Sequence, residues 1–341
     1  MQIRMFSDEF DLWTEYIRKH PQATFYHEIG WKEVIERSFG HKTFYLMAMR
    51  QGNIAGVLPL VHLKSFLFGS IFCSMPFLNF GGICADDSEA ERELLDSARE
   101  LLKKNQADYL ELRHRHKVCQ DLPVKTHKVS MMIELDPDPE KLWNGFKTKH
   151  RTNIRRSEKN GLVIRPGGAE LLDDFFNIIS FGWRDLGTPL YRKRFFQSIL
   201  ESFDSKIEIF VVYFKDIPIA TAFNGLFRDT VEGMWTYSLK EYSNLQTNYF
   251  LYWKMIEKAC IDGYRHYHLG RSTNETGATF FKSKWNAVPQ QLYWEYILNR
   301  RKEMPDLSVD NPRFQLAQNV WRRMPVPLTN FIGPWVARFI P

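Results

Sequence analysis

Short alternating and β-branched stretches occur at two places along the chain, and each set is followed by a helical stripe. Thr43 to Met49 and Ile54 to His62 read as strands around a turn at Gln51, Gly52 and Asn53, which predicts a hairpin. Ser88 with Glu91 three residues on predicts a capping box, and Leu94, Leu95, Ala98, Leu101 and Leu102 form the apolar stripe of the helix it starts. Tyr109 to Leu112 comes next as a short strand. The second half repeats this order: Ile207 to Phe214, Pro218 to Phe227 and Val231 to Ser238 make a meander with turns at Lys215-Asp216 and Arg228-Asp229. A helix capped by Thr247 carries Tyr249, Tyr252, Trp253, Ile256, Ala259 and Cys260 on one face and stops at Gly263; Arg265 to Leu269 then closes the unit. Helices precede each meander, Glu28 to Phe39 in the first half, Leu171 to Leu186 and Arg192 to Phe203 in the second.

The matching landmarks lie 164 (Thr43 to Ile207), 159 (Ser88 to Thr247) and 156 residues apart (Tyr109 to Arg265), a near-constant offset that predicts an internal duplication. Leu135 to Glu140, rich in proline and acid, is the natural joint between the halves. The expected domains are therefore 1–135 and 141–299, with a basic, proline-containing tail at 300–341. Both halves read as α/β (α+β) units of mixed sheets flanked by helices, and their element order is that of the GNAT acyltransferase unit. Fold order alone leaves function open.

With 341 residues, 44% of them hydrophobic, the chain can fill two cores. Charge alters the picture more. Residues 141–165 hold eight bases against one acid, Glu158, a local +7 in a chain of net +6, so the remainder sums to −1. A cluster of that kind points to an anionic ligand held at one place. Met1 to Trp13 contains Asp8, Glu9 and Asp11 rather than a basic start before an apolar core, so the expectation is a cytoplasmic protein without a cleaved leader. The most apolar stretch, Phe66 to Ala85, is broken by Gly69, Pro76, Gly81 and Gly82; it suits core strands and turns, or the wall of an acceptor cleft, better than a membrane span. Cys73, Cys84, Cys119 and Cys260 lie far apart and indicate neither a disulfide framework nor a zinc site. From Arg300 to Pro341, bases and prolines are interspersed with Trp321, Phe331 and Trp335. Such a tail either lies on the inner membrane as a peripheral contact, its bases snorkelling around aromatic anchors, or docks on the protein.

Two clusters carry candidate chemistry. The run from Phe146 to Gly161 predicts a basic helix with Lys147, Arg151, Arg155 and Lys159 at spacing four on one face, accompanied by Lys149, Asn153 and Arg156. Like charges so placed repel one another: either an anion balances them, for which arginine forks suit phosphate oxygens, or they form a solvated face. Between His268 and Trp285 a strand ends at Gly270, and a glycine- and hydroxyl-rich loop carries Arg271 and Gly277 before Phe281, Lys282 and Lys284. Loops at strand ends are where sites are built, and exposed amides there hold anions or a developing oxyanion.

Taken together, these clusters resemble the FemAB-like family, in its branch associated with exosortase (PEP-CTERM) and exopolysaccharide loci, over roughly Phe25 to Tyr296. The resemblance implies tandem GNAT-like domains side by side and transfer of an amino acid from aminoacyl-tRNA to an amine of a cell-envelope precursor. It places Lys282, through the Phe281-Lys282 pair, in the transfer channel, matches the family's arginine-rich helix to Arg151–Arg156, and matches its glycine loop to Gly270, Arg271 and Gly277. Ser243 to Tyr249 lacks the glycines of the loop that binds CoA in the wider fold, so a CoA donor is not supported. The activated donor, aminoacyl-tRNA or an acyl thioester, is expected as a co-substrate, with no bound cofactor.

Amide formation from an activated ester requires a deprotonated amine, a stabilised oxyanion and an acid for the leaving group. Lys282 and Arg271 are assigned to anion or oxyanion stabilisation, and Tyr237, near a strand end, to proton donation, against the alternative of an ordinary sheet tyrosine. The expected partners are an anionic small-molecule or carrier-linked substrate and tRNA as donor carrier, with no DNA. His114 and His116, like His266 and His268, share a strand face without further ligands, so no metal is expected. Neither a nucleophile elbow nor a P-loop occurs. The resulting expectation is an acyl or aminoacyl transferase acting on an amine of an envelope or exopolysaccharide precursor. The alternative is a non-catalytic GNAT-scaffold binding module in polysaccharide or envelope assembly.

Overall fold

The computed structural model describes residues 1–65, 68–305 and 312–341. The chain forms two compact units, 1–128 with 291–308 and 338–341, and 129–290 with 309–337. The first runs β1 (Gln2–Met5), α1 (Phe10–Lys19), α2 (Gly30–Phe39), β2 (Lys42–Arg50), β3 (Asn53–Ser65), β4 (Gly69–Cys73), β5 (Cys84–Ala85), α3 (Ser88–Lys104), β6 (Tyr109–His114) and β7 (Val124–Lys125). The second runs β8 (Lys128–Glu134), α4 (Pro139–Gly145), α5 (Thr148–Glu158), β9 (Leu162–Gly167), α6 (Leu172–Leu186), α7 (Lys193–Phe203), β10 (Ile207–Phe214), β11 (Ile217–Phe227), β12 (Thr230–Ser238), α8 (Thr247–Ile261), β13 (His266–Thr273), α9 (Gly277–Ser283) and β14 (Val288–Gln291). Then come β15 (Tyr293–Leu298), which belongs to the first unit, and α10 (Pro312–Arg323) and α11 (Val326–Ala337), which pack on α6.

The sheet orders are β1-β2-β3-β4-β6-β15-β7, with β5 on β3, and β14-β8-β13-β12-β11-β10-β9. Element by element they correspond: β1 with β9, α1 and α2 with α6 and α7, β2 to β4 with β10 to β12, α3 with α8, and β6 with β13. The duplication expected from the spacing is therefore present, as two mixed sheets flanked by helices. One strand of each sheet comes from an unexpected place. β15, reached only after the second unit, pairs antiparallel with β6 and β7, while β8, which comes directly after the first unit, sits between β14 and β13.

This exchange moves the domain limits. The Leu135–Glu140 joint falls inside the second unit, where Leu135 N donates to Arg265 O at 2.8 Å, and 291–298 belongs to the first. Two caps also differ by one residue. Asp87, not Ser88, accepts from Ala90 N at the start of α3. Gln246, at φ +58°, precedes α8, and Thr247 donates instead to Tyr242 O. Of the stretches singled out in the sequence, Phe66, Leu67 and residues 306–311 lie outside the described residues.

Each sheet is covered by its later helix on one face. Leu94, Leu95, Ala98 and Leu102 of α3 pack on Leu46, Leu58, Leu60 and Leu110, and Leu251, Met255 and Ile256 of α8 join Phe210, Val212, Ala220 and Tyr267. On the other face of the second sheet, Phe196 of α7 meets Trp235 of β12 edge-on, with ring centroids 5.1 Å apart. Burial of such side chains, about 1.5–3 kcal/mol each, is the main force holding the strands in register.

Candidate functional site

The site begins where the parallel pairing of β12 and β13 stops. Thr230, Val231 and Glu232 pair with His266, Tyr267 and His268, and a bulge at Met234 then shifts the register of β12 against β11. Just past the last rung the two backbones come close at glycines. A Cβ on Gly270, which has φ +80°, would stand 2.9 Å from Gly233 O. A side chain is excluded there both by space and by conformation.

β13 runs on to Thr273, and Gly277 opens the short helix α9, so part of the expected loop is regular structure. α9 directs Lys282 back onto β13. Its Nζ donates to Gly270 O at 3.2 Å and Arg271 O at 3.3 Å, leaving one of the ammonium's three protons for a ligand. The side chain is buried, with no carboxylate paired to it among the described residues. Burial, and secondarily the charge of Arg271, pull its pKa down to about 8. A lysine retained under those conditions is costly and is the kind of perturbed group that marks a functional site.

Around α9 stands an aromatic cluster. Trp285 stacks on Tyr252 at 5.8 Å, Phe281 meets Tyr252 edge-on at 5.1 Å, and Phe146 and His150 approach Trp285 at 5.7 and 4.3 Å. The Tyr252 hydroxyl, hydrogen-bonded to Thr236, is pushed up to about 12 by burial. Through this cluster the first turn of α5 is joined to the Lys282–Lys284 segment, and Lys284 reaches the Tyr249 hydroxyl at 3.5 Å.

The basic helix is α5, with Lys147 as its N-cap residue and His150, Ile154 and Ser157 on its buried face. Lys147, Lys149, Arg155 and Arg156 are exposed, and Arg151 and Asn153 are half-buried. Among the described residues no carboxylate pairs with any of these bases; Arg155 instead lies 5.3 Å over the Trp143 ring. Arg155 and Arg156 sit in the last turn, where the helix dipole favours cations, but Lys147 and Lys149 stand at the end that disfavours them. The structure thus brings Phe281, Lys282 and Lys284 beside the start of α5, through Phe146 and His150.

Tyr237 is held elsewhere. Its hydroxyl donates to Asp185 Oδ2 at 2.7 Å, and Asp185 also takes Lys240 Nζ at 2.9 Å. Burial and the Asp185 carboxylate raise the phenol's pKa, keeping it protonated in a structural bond.

Two groups beside the site were not assigned by sequence reasoning. Glu232 and His268 form a buried pair on the last rung, with Oε2 and Nδ1 2.6 Å apart. The signal was a carboxylate, Glu232, inside a central strand with no other charged residue. His150 is buried, and neither ring nitrogen has a hydrogen-bond partner; burial, then the Lys284 charge, bring its pKa down to about 4. Its position in a run of bases hid it.

Residues 146–283, which contain α5, the β12–β13 junction and Lys282, match the acetyltransferase (GNAT) domain family. No curated protein matches the chain. Among solved structures it is similar to FemX, with 16% identity, 93% of this chain and 100% of that one covered, and a TM-score of 0.70. It is also similar to a tandem GNAT protein from the clavulanic acid biosynthesis pathway (10% identity, 86% and 97% covered, TM-score 0.55) and to L-PGS from Bacillus licheniformis (11%, 87% and 98%, 0.53). At such identities the likeness is one of fold, and the fold is a tandem duplication of the GNAT unit.

Proposed function

We propose that the protein transfers an activated acyl or aminoacyl group to an amine, with the Gly270–Lys284 segment facing the reacting carbonyl and α5 holding an anionic part of a substrate. The observation that carries this reading is Lys282, a buried cation with one uncommitted N–H beside a glycine-gated strand end. In the reaction the amine nitrogen bonds to the carbonyl carbon and the carbonyl oxygen gains negative charge. The carbon–oxygen or carbon–sulfur bond to the carrier then breaks, and the amine's proton is passed to the leaving group. Lys282 stabilises the oxyanion as it forms, where a preorganised donor in a dry site is worth most. Arg271 adds charge at the same place.

The donor proposed is an aminoacyl-tRNA or an acyl thioester other than CoA. At the start of α8, where the CoA-binding loop would lie, Thr247 is buried and its hydroxyl donates to Tyr242 O of the preceding Lys240–Leu245 turn, which supports leaving CoA aside. The unpaired bases of α5 support a phosphate-bearing substrate, and the sequence resemblance favours an amine of an envelope or exopolysaccharide precursor as acceptor. The test is donor consumption by purified protein across aminoacyl-tRNA, acyl carrier protein and acyl-CoA pools, with Lys282→Ala alongside. One donor class should turn over and lose about a hundredfold or more in the variant. No donor consumption, with glycan-precursor binding identical in wild type and Lys282→Ala, would instead favour the non-catalytic binding module.

A further inference from the structure

A helix that packs on a protein surface ordinarily turns its large apolar residues inward. α11 does the reverse. Thr329, Gly333 and Ala337, spaced by four, are buried, and Gly333 is so close to Leu190 that an added Cβ would lie 3.1 Å from its backbone N and O. Leu328, Phe331 and Trp335, spaced i, i+3 and i+7, face outward, with Phe331 74% and Trp335 57% exposed. α10 adds Leu316, 70% exposed, and Val320 one turn on. Leu186 at the end of α6 is exposed beside them, its carbonyl accepting from Arg322 Nη2 at 3.3 Å. Single exposed apolar residues are ordinary, but a set gathered on neighbouring helices calls for an occupant.

Charge identifies that occupant. Between Pro312 and Ala337 the chain has Arg313, Arg322 and Arg323 and no aspartate or glutamate. Arg192 of the same unit lies 4.9 Å over the Trp335 ring. A second copy of the chain docking through this face would set like charges against one another, because a two-fold interface is self-complementary. We infer that the outward face of α10 and α11 lies on an anionic lipid surface, its aromatic and aliphatic side chains in the headgroup boundary and its arginines on the phosphates. Each helix has 12 residues, about 18 Å of length against a hydrocarbon core of about 30 Å. No helix among the described residues is long and apolar enough to cross a membrane, so the contact is peripheral.

The experiment is co-sedimentation of the full chain with phosphatidylglycerol–phosphatidylethanolamine vesicles and with phosphatidylcholine vesicles. It reads no transfer activity and so stands apart from the proposed reaction. Binding to the anionic vesicles should weaken with salt, and Phe331→Ser with Trp335→Ser should lower it about tenfold or more. Arg323→Glu should lower it severalfold. These side chains project into solvent, and an unchanged unfolding midpoint checks that the variants fold. Absence of binding to anionic vesicles at low salt overturns the inference. So does binding indifferent to Phe331→Ser with Trp335→Ser, or a dimer dissolved by that pair without vesicle binding.

Discussion

In the first unit β4 and β6 pair in parallel at Ile71–Tyr109, Phe72–Leu110 and Cys73–Glu111; in the second, β12 and β13 pair the same way for the same three rungs. Beyond the last rung the two units diverge. In the first unit the chain leaves its strand at Ser74 and fills the space with its own side chains, burying Met75, Leu78 and Phe80. The buried Arg113 there is paired, donating to Glu111 at 2.7 Å and to Leu78 O at 3.2 Å, while the Tyr296 hydroxyl reaches the same carboxylate at 3.0 Å. In the second unit β12 continues to Ser238, two glycines let the backbones approach, and the buried cation is a lysine bonded only to carbonyl oxygens. One copy of the scaffold has its buried cation neutralised by a carboxylate. The other retains an uncompensated one, and such local violations of good packing tend to fall where chemistry is done.

Breaking the paired copy should have the largest effect on stability. Arg113→Met leaves the Glu111 carboxylate buried without its cation and should cost about 3–5 kcal/mol in denaturant unfolding. Transfer per folded molecule should stay unchanged, and a loss of kcat at preserved fold would show that the first unit takes part in the chemistry.

The converse change falls on Lys282. Lys282→Met should abolish transfer by about a hundredfold while stabilising the protein by about 1–2 kcal/mol, the relief of a buried charge less two hydrogen bonds. Linkage sets the sign of its pH dependence. The folded pKa of about 8 lies below the ordinary 10.5, so the penalty is present in full below pH 8 and is relieved as pH rises toward 10.5. The variant's advantage in thermal melts should therefore shrink over that window. As an oxyanion donor Lys282 must also be protonated, so wild-type activity should fall above about pH 8. A rising limb there would make it a base instead.

The smallest effect concerns acid. His150 and, in the first unit, His27 are both held near pKa 4 against an ordinary 6.5, chiefly by burial. Between those pH values the unfolded chain takes up protons that the folded one refuses, so stability falls as pH drops from 6.5 toward about 4. His150→Phe should remove one share of that slope, about 1–3 kcal/mol. Equal melting-point losses between pH 7 and pH 5 in variant and wild type would rule this out.

Much of the scaffold was legible because the signals are local. Periods of two and of about 3.6 located the meanders and their covering helices, and their constant offset revealed the duplication. Which strand a segment pairs with is not local: Tyr293 to Leu298 reads as a strand wherever it goes, and nothing in it names β6. The cap of α3 slipped by one residue because Asp87 and Ser88 both cap well. Within the site, Lys282 and α5 were visible through resemblance and charge. The depressed pKa of Lys282 was not, since it arises from burial in the folded chain and from the charge of Arg271 brought beside it. Glu232 and His268 are 36 residues apart and become a pair only through the parallel register.

The exchanged strands also set a timetable for synthesis. His114 in β6 is paired with Tyr293 in β15, so the edge of β6 emerges from the ribosome 179 residues before its partner. At about 5–20 residues per second that is roughly ten to forty seconds of a central strand with one edge open. Such an edge is a template for pairing with other chains. The nascent amino-terminal half is therefore the stage at which this protein is most open to mispairing. A gene cut just before β8 would remove β15 from the amino-terminal product and leave it in that condition permanently.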